Sequence, residues 1–130
     1  MKTKLGVLAA ALLCLAPPLA AHHGWNFVYD GKKPVTVKGV ITKIEWTNPH
    51  IHFYVDSTDE KGAVTSWNFE MASPLALERN GWSRRDLPVG AHVTVAGFGG
   101  TVEMIRAVAG SITLADGRLL FGDAQPGQPD

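Results

Sequence analysis

The chain has 130 residues, with 12 Lys+Arg against 12 Asp+Glu, 14 Gly, 8 Pro, one Cys and 45% hydrophobic residues. That length allows one small domain, and the composition excludes a disordered, collagen-like or coiled-coil chain. The balanced charge excludes a nucleic-acid binder that works by neutralising phosphates.

Residues 1–21 read as a secretory signal peptide. Lys2 and Lys4 form a positive start, and Leu5 to Leu15 is an apolar run too short to act as a stop-transfer helix. Pro17 and Pro18 then precede the small-residue site Leu19-Ala20-Ala21. Cleavage after Ala21 puts Leu19 at the third position before the bond, and cleavage after Ala20 puts Pro18 there; the first is favoured. Leu13 before Cys14 argues against a lipoprotein, so no membrane anchor is expected after cleavage. Removing 21 of 130 residues leaves 109, with 10 basic against 12 acidic side chains and no cysteine. The expected product is a periplasmic or secreted domain without disulfides, thiolate nucleophiles or Cys-ligated metals.

In chain order, residues 22–34 are expected as an N-terminal arm, 35–122 as the folded domain and 123–130 as a disordered tail. Val35 to Trp46 predicts a long first strand. Val35 and Val37 share one parity and Val40, Ile44 and Trp46 the other, which places a bulge at Gly39. Asn48-Pro49 signals a turn. His50 to Asp56 alternates, with Ile51, Phe53 and Val55 on one face and His50, His52 and Tyr54 on the other. Thr58 to Gly62 is expected as a hairpin loop, and Val64 to Glu70 as its return strand. Ser73, Pro74 and Asn80-Gly81 punctuate a short helix. Leu87 to Gly90 turns into a strand over Ala91 to Gly97, Gly99-Gly100 makes a loop, and Met104 to Leu114 supplies the last strand or two before Asp116-Gly117. The order predicts a mainly β fold: a small OB-like Greek-key barrel of about five strands with one helix between strands three and four. A small β-sandwich is the runner-up.

Several of these segments carry a resemblance. Ala21-His22-His23-Gly24-Trp25, Glu45 to His50 (EWTNPH), Gly81-Trp82, Leu87 to Gly90 and Asp116-Gly117-Arg118 occur in that order. Together the chain resembles a family of short exported bacterial proteins known as a domain of unknown function, number 6152 in its series. The resemblance implies export and a shared fold, and no activity. The chain departs from the family pattern at Gly24, where Ser is common, and at Ala91-His92, where an acidic residue usually follows the glycine.

The histidines are the one constellation with chemistry in it. His22 and His23 would open the mature chain, and His50 and His52 project from one face of a strand. With Thr58–Gly62 as the loop, Ser57 opposes Ala63, so His52 falls beside Asn68 and His50 beside Glu70. Neutral imidazoles suit copper, zinc or nickel. Cleavage after Ala21 gives His22 a free amine beside its own imidazole, which resembles the histidine brace of copper proteins. Cleavage after Ala20 places His23 third, which resembles the amino-terminal Cu/Ni motif. The candidate metal residues are therefore His22, His23, His50, His52 and Glu70, with copper the favoured ion. His92 lies on an outward parity and reads as solvated. No serine sits in a nucleophile elbow and no glycine loop fits a phosphate or dinucleotide, so an enzyme is not favoured. The alternative is a metal-free envelope module that docks a protein or glycan.

Overall fold

The computed structural model describes residues 28–121. The expected signal peptide, the first six residues of the expected arm (22–27, with His22 and His23) and the tail lie outside the described residues. Six strands and a short helix follow one another as β1 (Tyr29–Glu45), β2 (His52–Thr58), β3 (Val64–Glu70), α1 (Pro74–Arg79), β4 (His92–Gly100), β5 (Arg106–Leu114) and β6 (Leu119–Phe121). The sheet closes in a ring of five strands. β1 pairs antiparallel with β2 and β4, β2 with β3 and β4 with β5, and a parallel β3–β5 pairing completes the circuit. β6 extends β5 as an antiparallel edge. This is the mainly β, OB-like order expected, with the helix between β3 and β4.

The first strand departs from expectation at both its start and its bend. It begins at Tyr29, because Tyr29 already pairs with Gly100 on β4 before the ladder resumes at Pro34 opposite Phe98. The bulge lies at Thr42 and not at Gly39: Ile41 faces Val55, and the next partners are Lys43 and Tyr54. Val37 and Ile41 are accordingly buried on one phase, and Ile44 and Trp46 pack on the core after the switch. Gly39 meets a different demand, since a Cβ there would lie 2.2 Å from the Asp56 carbonyl oxygen.

The β2–β3 hairpin has a five-residue loop, one residue later than expected. Asp59 sets it: its carboxylate accepts from the Lys61 and Ala63 amides at 2.9 Å, and its own amide donates to the Ala63 carbonyl at 3.0 Å. Gly62 supplies the left-handed residue at φ +84°. Thr58 therefore stays in the ladder opposite Val64, and Ser57 pairs with Thr65 rather than Ala63. The shift is two residues across the strands, so every side chain keeps its face. Inside the ring Phe53 stacks on Phe69 at 5.3 Å, and Trp67 on Phe69 at 6.0 Å. Val93, Val95, Ala107, Ala109 and Ile112 fill the opposite wall.

The helix is punctuated as expected. Ser73 accepts from the Ala76 amide at 3.2 Å, Pro74 opens the first turn, and Gly81 leaves it at φ +85°. Leu77 and Trp82 carry it onto the core. Ser73→Ala is expected to lower stability by about 1 kcal/mol in denaturant unfolding; an unchanged midpoint would show that Leu77 alone holds the helix. A 3-10 helix over Arg84–Asp86 follows, held by a reciprocal cap between Ser83 and Asp86. β4 also runs through Gly99 and Gly100, where a loop was expected, because these residues pair with Ala107 and Tyr29.

Candidate functional site

The alternation that buries Ile51, Phe53 and Val55 turns His50, His52 and Tyr54 to the outside of the ring. On β3 the same rule turns Asn68 and Glu70 outward, and on β5 Arg106 and Val108. The parallel pairing of Asn68 with Arg106 and Glu70 with Val108 brings these strands side by side. β1 adds Tyr29 from above, where it is buried with Val108 against Phe98.

Glu70 is the hub. It is the single buried charged residue among those described. One oxygen, Oε2, accepts from the Tyr29 hydroxyl and from Arg106 Nη2 at 2.9 Å. Arg106 Nε donates to the Tyr29 oxygen at 2.9 Å, and its guanidinium lies 5.5 Å from the centre of the Tyr29 ring. The other oxygen, Oε1, lies 2.7 Å from His50 Nδ1. Burial pushes the Glu70 carboxyl upward, but bonds from Tyr29, Arg106 and His50 outweigh it and hold the group below its ordinary value of 4.5. Burial raises the Tyr29 phenol, and its bond to Glu70 raises it further, so it stays a neutral donor. Burial alone would lower the Arg106 guanidinium; its bonds to Glu70 and Tyr29 reverse this and keep it charged.

Because Glu70 is a carboxylate and only accepts, the proton of this contact sits on His50 Nδ1. His52 repeats the pattern one step along, its Nδ1 lying 3.0 Å from Asn68 Oδ1. Both contacts are the neighbours expected from the sequence, yet they run diagonally, since the ladder pairs His52 directly with Glu70. In the neutral ring, each imidazole is thereby set as the Nδ1–H tautomer with its lone pair on Nε2. Glu45, opposite His52 on β1, is bonded to Tyr54 at 3.3 Å and paired with Lys43.

Of the five candidate residues, the structure brings His50 and Glu70 together and sets His52 beside Asn68. His22 and His23 lie outside the described residues. Among the described residues no group of three or more His, Cys, Asp or Glu side chains gathers as a metal shell. His92 is exposed, as expected. Tyr29 and Arg106 were missed by sequence reasoning. Tyr29 falls in the expected arm, and Arg106 reaches Glu70 only through the parallel closure, which no hairpin register predicts.

A family model described as "Family of unknown function (DUF6152)" matches residues 10–103. The chain belongs to that family. No curated protein and no solved structure matches it.

Proposed function

We propose that this member of the DUF6152 family is an exported binding protein for a transition metal, copper fitting best, acting as carrier, sensor or buffer. The observation that carries the proposal is the orientation of His50 by a buried carboxylate. A carboxylate that accepts from one ring nitrogen fixes the tautomer and raises the basicity of the other, the usual support behind a metal-ligating histidine. His50 would ligate through Nε2, with His52 as a second imidazole on the same face and Glu70 as the orienting group behind it. The mature N-terminus, through His22 or through His23 after the alternative cleavage, would supply the remaining nitrogen donors. Such a nitrogen-rich set suits Cu(II) over the hard divalent ions. The metal would supply redox or carrier chemistry; the chain's own groups hold a proton on Nδ1 and keep the imidazole aimed.

The test is a Cu(II) titration of the exported protein, its N-terminus fixed by intact mass, followed by calorimetry and EPR. One-to-one binding with nitrogen hyperfine structure is expected, lost in His50→Ala and weakened about 10–100-fold in Glu70→Gln. Binding that ignores His50→Ala would assign the metal to the bare terminus, and absence of binding would leave a metal-free interaction module.

A further inference from the structure

An apolar tip stands at one end of the ring, beside the Glu70 hub. In the turn between β4 and β5, Val102 and Met104 are 88% and 90% exposed and Ile105 is 52% exposed. Val28 stands next to them, its carbonyl accepting from the Thr101 amide at 2.8 Å and the Thr101 hydroxyl at 3.2 Å. A single exposed apolar side chain is ordinary, but several crowded on one turn mark a contact surface.

The charges around the tip say what it meets. Between Tyr29, opposite Gly100, and Pro34, opposite Phe98, β1 leaves its ladder with β4 and bulges outward. The bulge carries Lys32 and Lys33, both exposed, and Lys33 Nζ reaches the Thr101 carbonyl at 3.4 Å, which sets a cation at the root of the turn. Neither lysine is ion-paired among the described residues. The acidic groups nearby are committed elsewhere. Asp30 accepts from the Lys32 amide at 2.9 Å, Glu103 leans back to within 3.8 Å of Arg106 Nη1, and Glu70 is buried in its network. Apolar side chains thus form the end of the tip, and unpaired positive charge forms its root.

We infer that this tip seats on an anionic lipid surface, with Val102, Met104 and Ile105 entering the headgroup–acyl boundary and Lys32 and Lys33 meeting lipid phosphates. A protruding turn offers no groove to a protein partner, whereas a bilayer interface takes a small apolar tip without needing a matching shape. The turn goes no deeper than that interface, because its backbone groups cannot give up water in hydrocarbon. A shallow apolar insertion and a pair of lysines are two weak signals, and together they give reversible binding that neither gives alone. The inference needs no metal and stands apart from the copper proposal.

The experiment is cosedimentation of the exported protein, its leader removed, with vesicles of mixed phosphatidylglycerol and phosphatidylcholine and with vesicles of phosphatidylcholine alone, both in EDTA. Binding to the anionic vesicles is expected to be about 10-fold tighter or more, and to weaken about 10-fold between roughly 50 and 500 mM salt. Val102→Asp/Met104→Asp, whose sites are too exposed to disturb the core, and Lys32→Glu/Lys33→Glu should each lose about 10-fold in affinity with unchanged thermal melting. Val89→Asp is the control: Val89 is 63% exposed but precedes the opposite end of β4, and the variant should bind as wild type does. No vesicle binding, equal binding to the neutral vesicles, or a loss that Val89→Asp matches would overturn the inference. A dimer that Val102→Asp/Met104→Asp dissolves would also overturn it, by assigning the tip to a second copy. Vesicle binding together with absent Cu(II) binding would uphold this inference and reject the metal reading alone.

Discussion

Glu70→Leu is expected to cost about 3 kcal/mol of folding stability, a drop of roughly 10–20 °C in Tm. The leucine fills the space but takes the acceptor from three donors, the half-exposed His50 Nδ1 and the two that share Oε2. The Tyr29 hydroxyl and Arg106 Nη2 both lose the oxygen they share, in a place where the carboxylate is only 9% exposed. Arg106 retains partial access to water, which holds the loss near the lower end of what breaking a buried pair exacts. The pH dependence separates this from a packing defect. Glu70 has its pKa depressed in the folded state, so its contribution is complete above the ordinary carboxylate value of 4.5 and fades as pH falls through the folded value. The stability gap between wild type and variant should be widest at about pH 6–7 and narrow progressively below about pH 4.5. Denaturant titrations at a series of pH values read it directly. A gap that stays constant down to about pH 3 would mean the charge of Glu70 does not matter to the fold.

The sequence carried face and order better than it carried register. The alternation His50 to Asp56 assigns inside and outside correctly because parity survives a two-residue shift, and a misplaced hairpin loop therefore left His50 beside Glu70 and His52 beside Asn68. The loop itself turned on Asp59, whose carboxylate chooses where the ladder stops; Thr58 as a β-branched residue gave no comparable sign. The helix was legible because its caps are local, Ser73 at one end and Gly81 at the other. The hub was only half legible. Glu70 ends β3 and His50 lies two residues before β2, the two strands being joined by a short turn, so spacing reveals them. Tyr29 is 41 residues from Glu70 in sequence and Arg106 is 36, and both arrive through contacts that close the ring. Nothing in periodicity encodes a parallel β3–β5 pairing, and without it a buried glutamate has no visible reason to be there.

The bend of β1 shows the same limit, and Gly39→Ala tests it. The change is expected to cost about 3 kcal/mol, a large effect for one methyl group. A Cβ at this position would lie 2.2 Å from the Asp56 carbonyl oxygen and 2.8 Å from Val55 Cγ1. The first of these is main chain, so relief requires β2 to move as a strand. That strand is pinned by its pairing to β3 and by Phe53 in the core. Gly97 is placed alike, its hypothetical Cβ 1.9 Å from the Val108 carbonyl oxygen across the β4–β5 bulge, and Gly97→Ala should be similarly severe. Gly62→Ala is the comparison: that site has open space and only the strain of φ +84°, worth about 1 kcal/mol. A bulge at Gly39, the arrangement the hydrophobic phases alone suggest, would tolerate alanine because a bulged residue near the right-handed helical region accepts a side chain. Denaturant unfolding of the three variants distinguishes the two geometries. Steric contact with β2 predicts Gly39→Ala well below Gly62→Ala in stability, whereas the reverse order would return the bulge to Gly39 and remove Thr42 from that role.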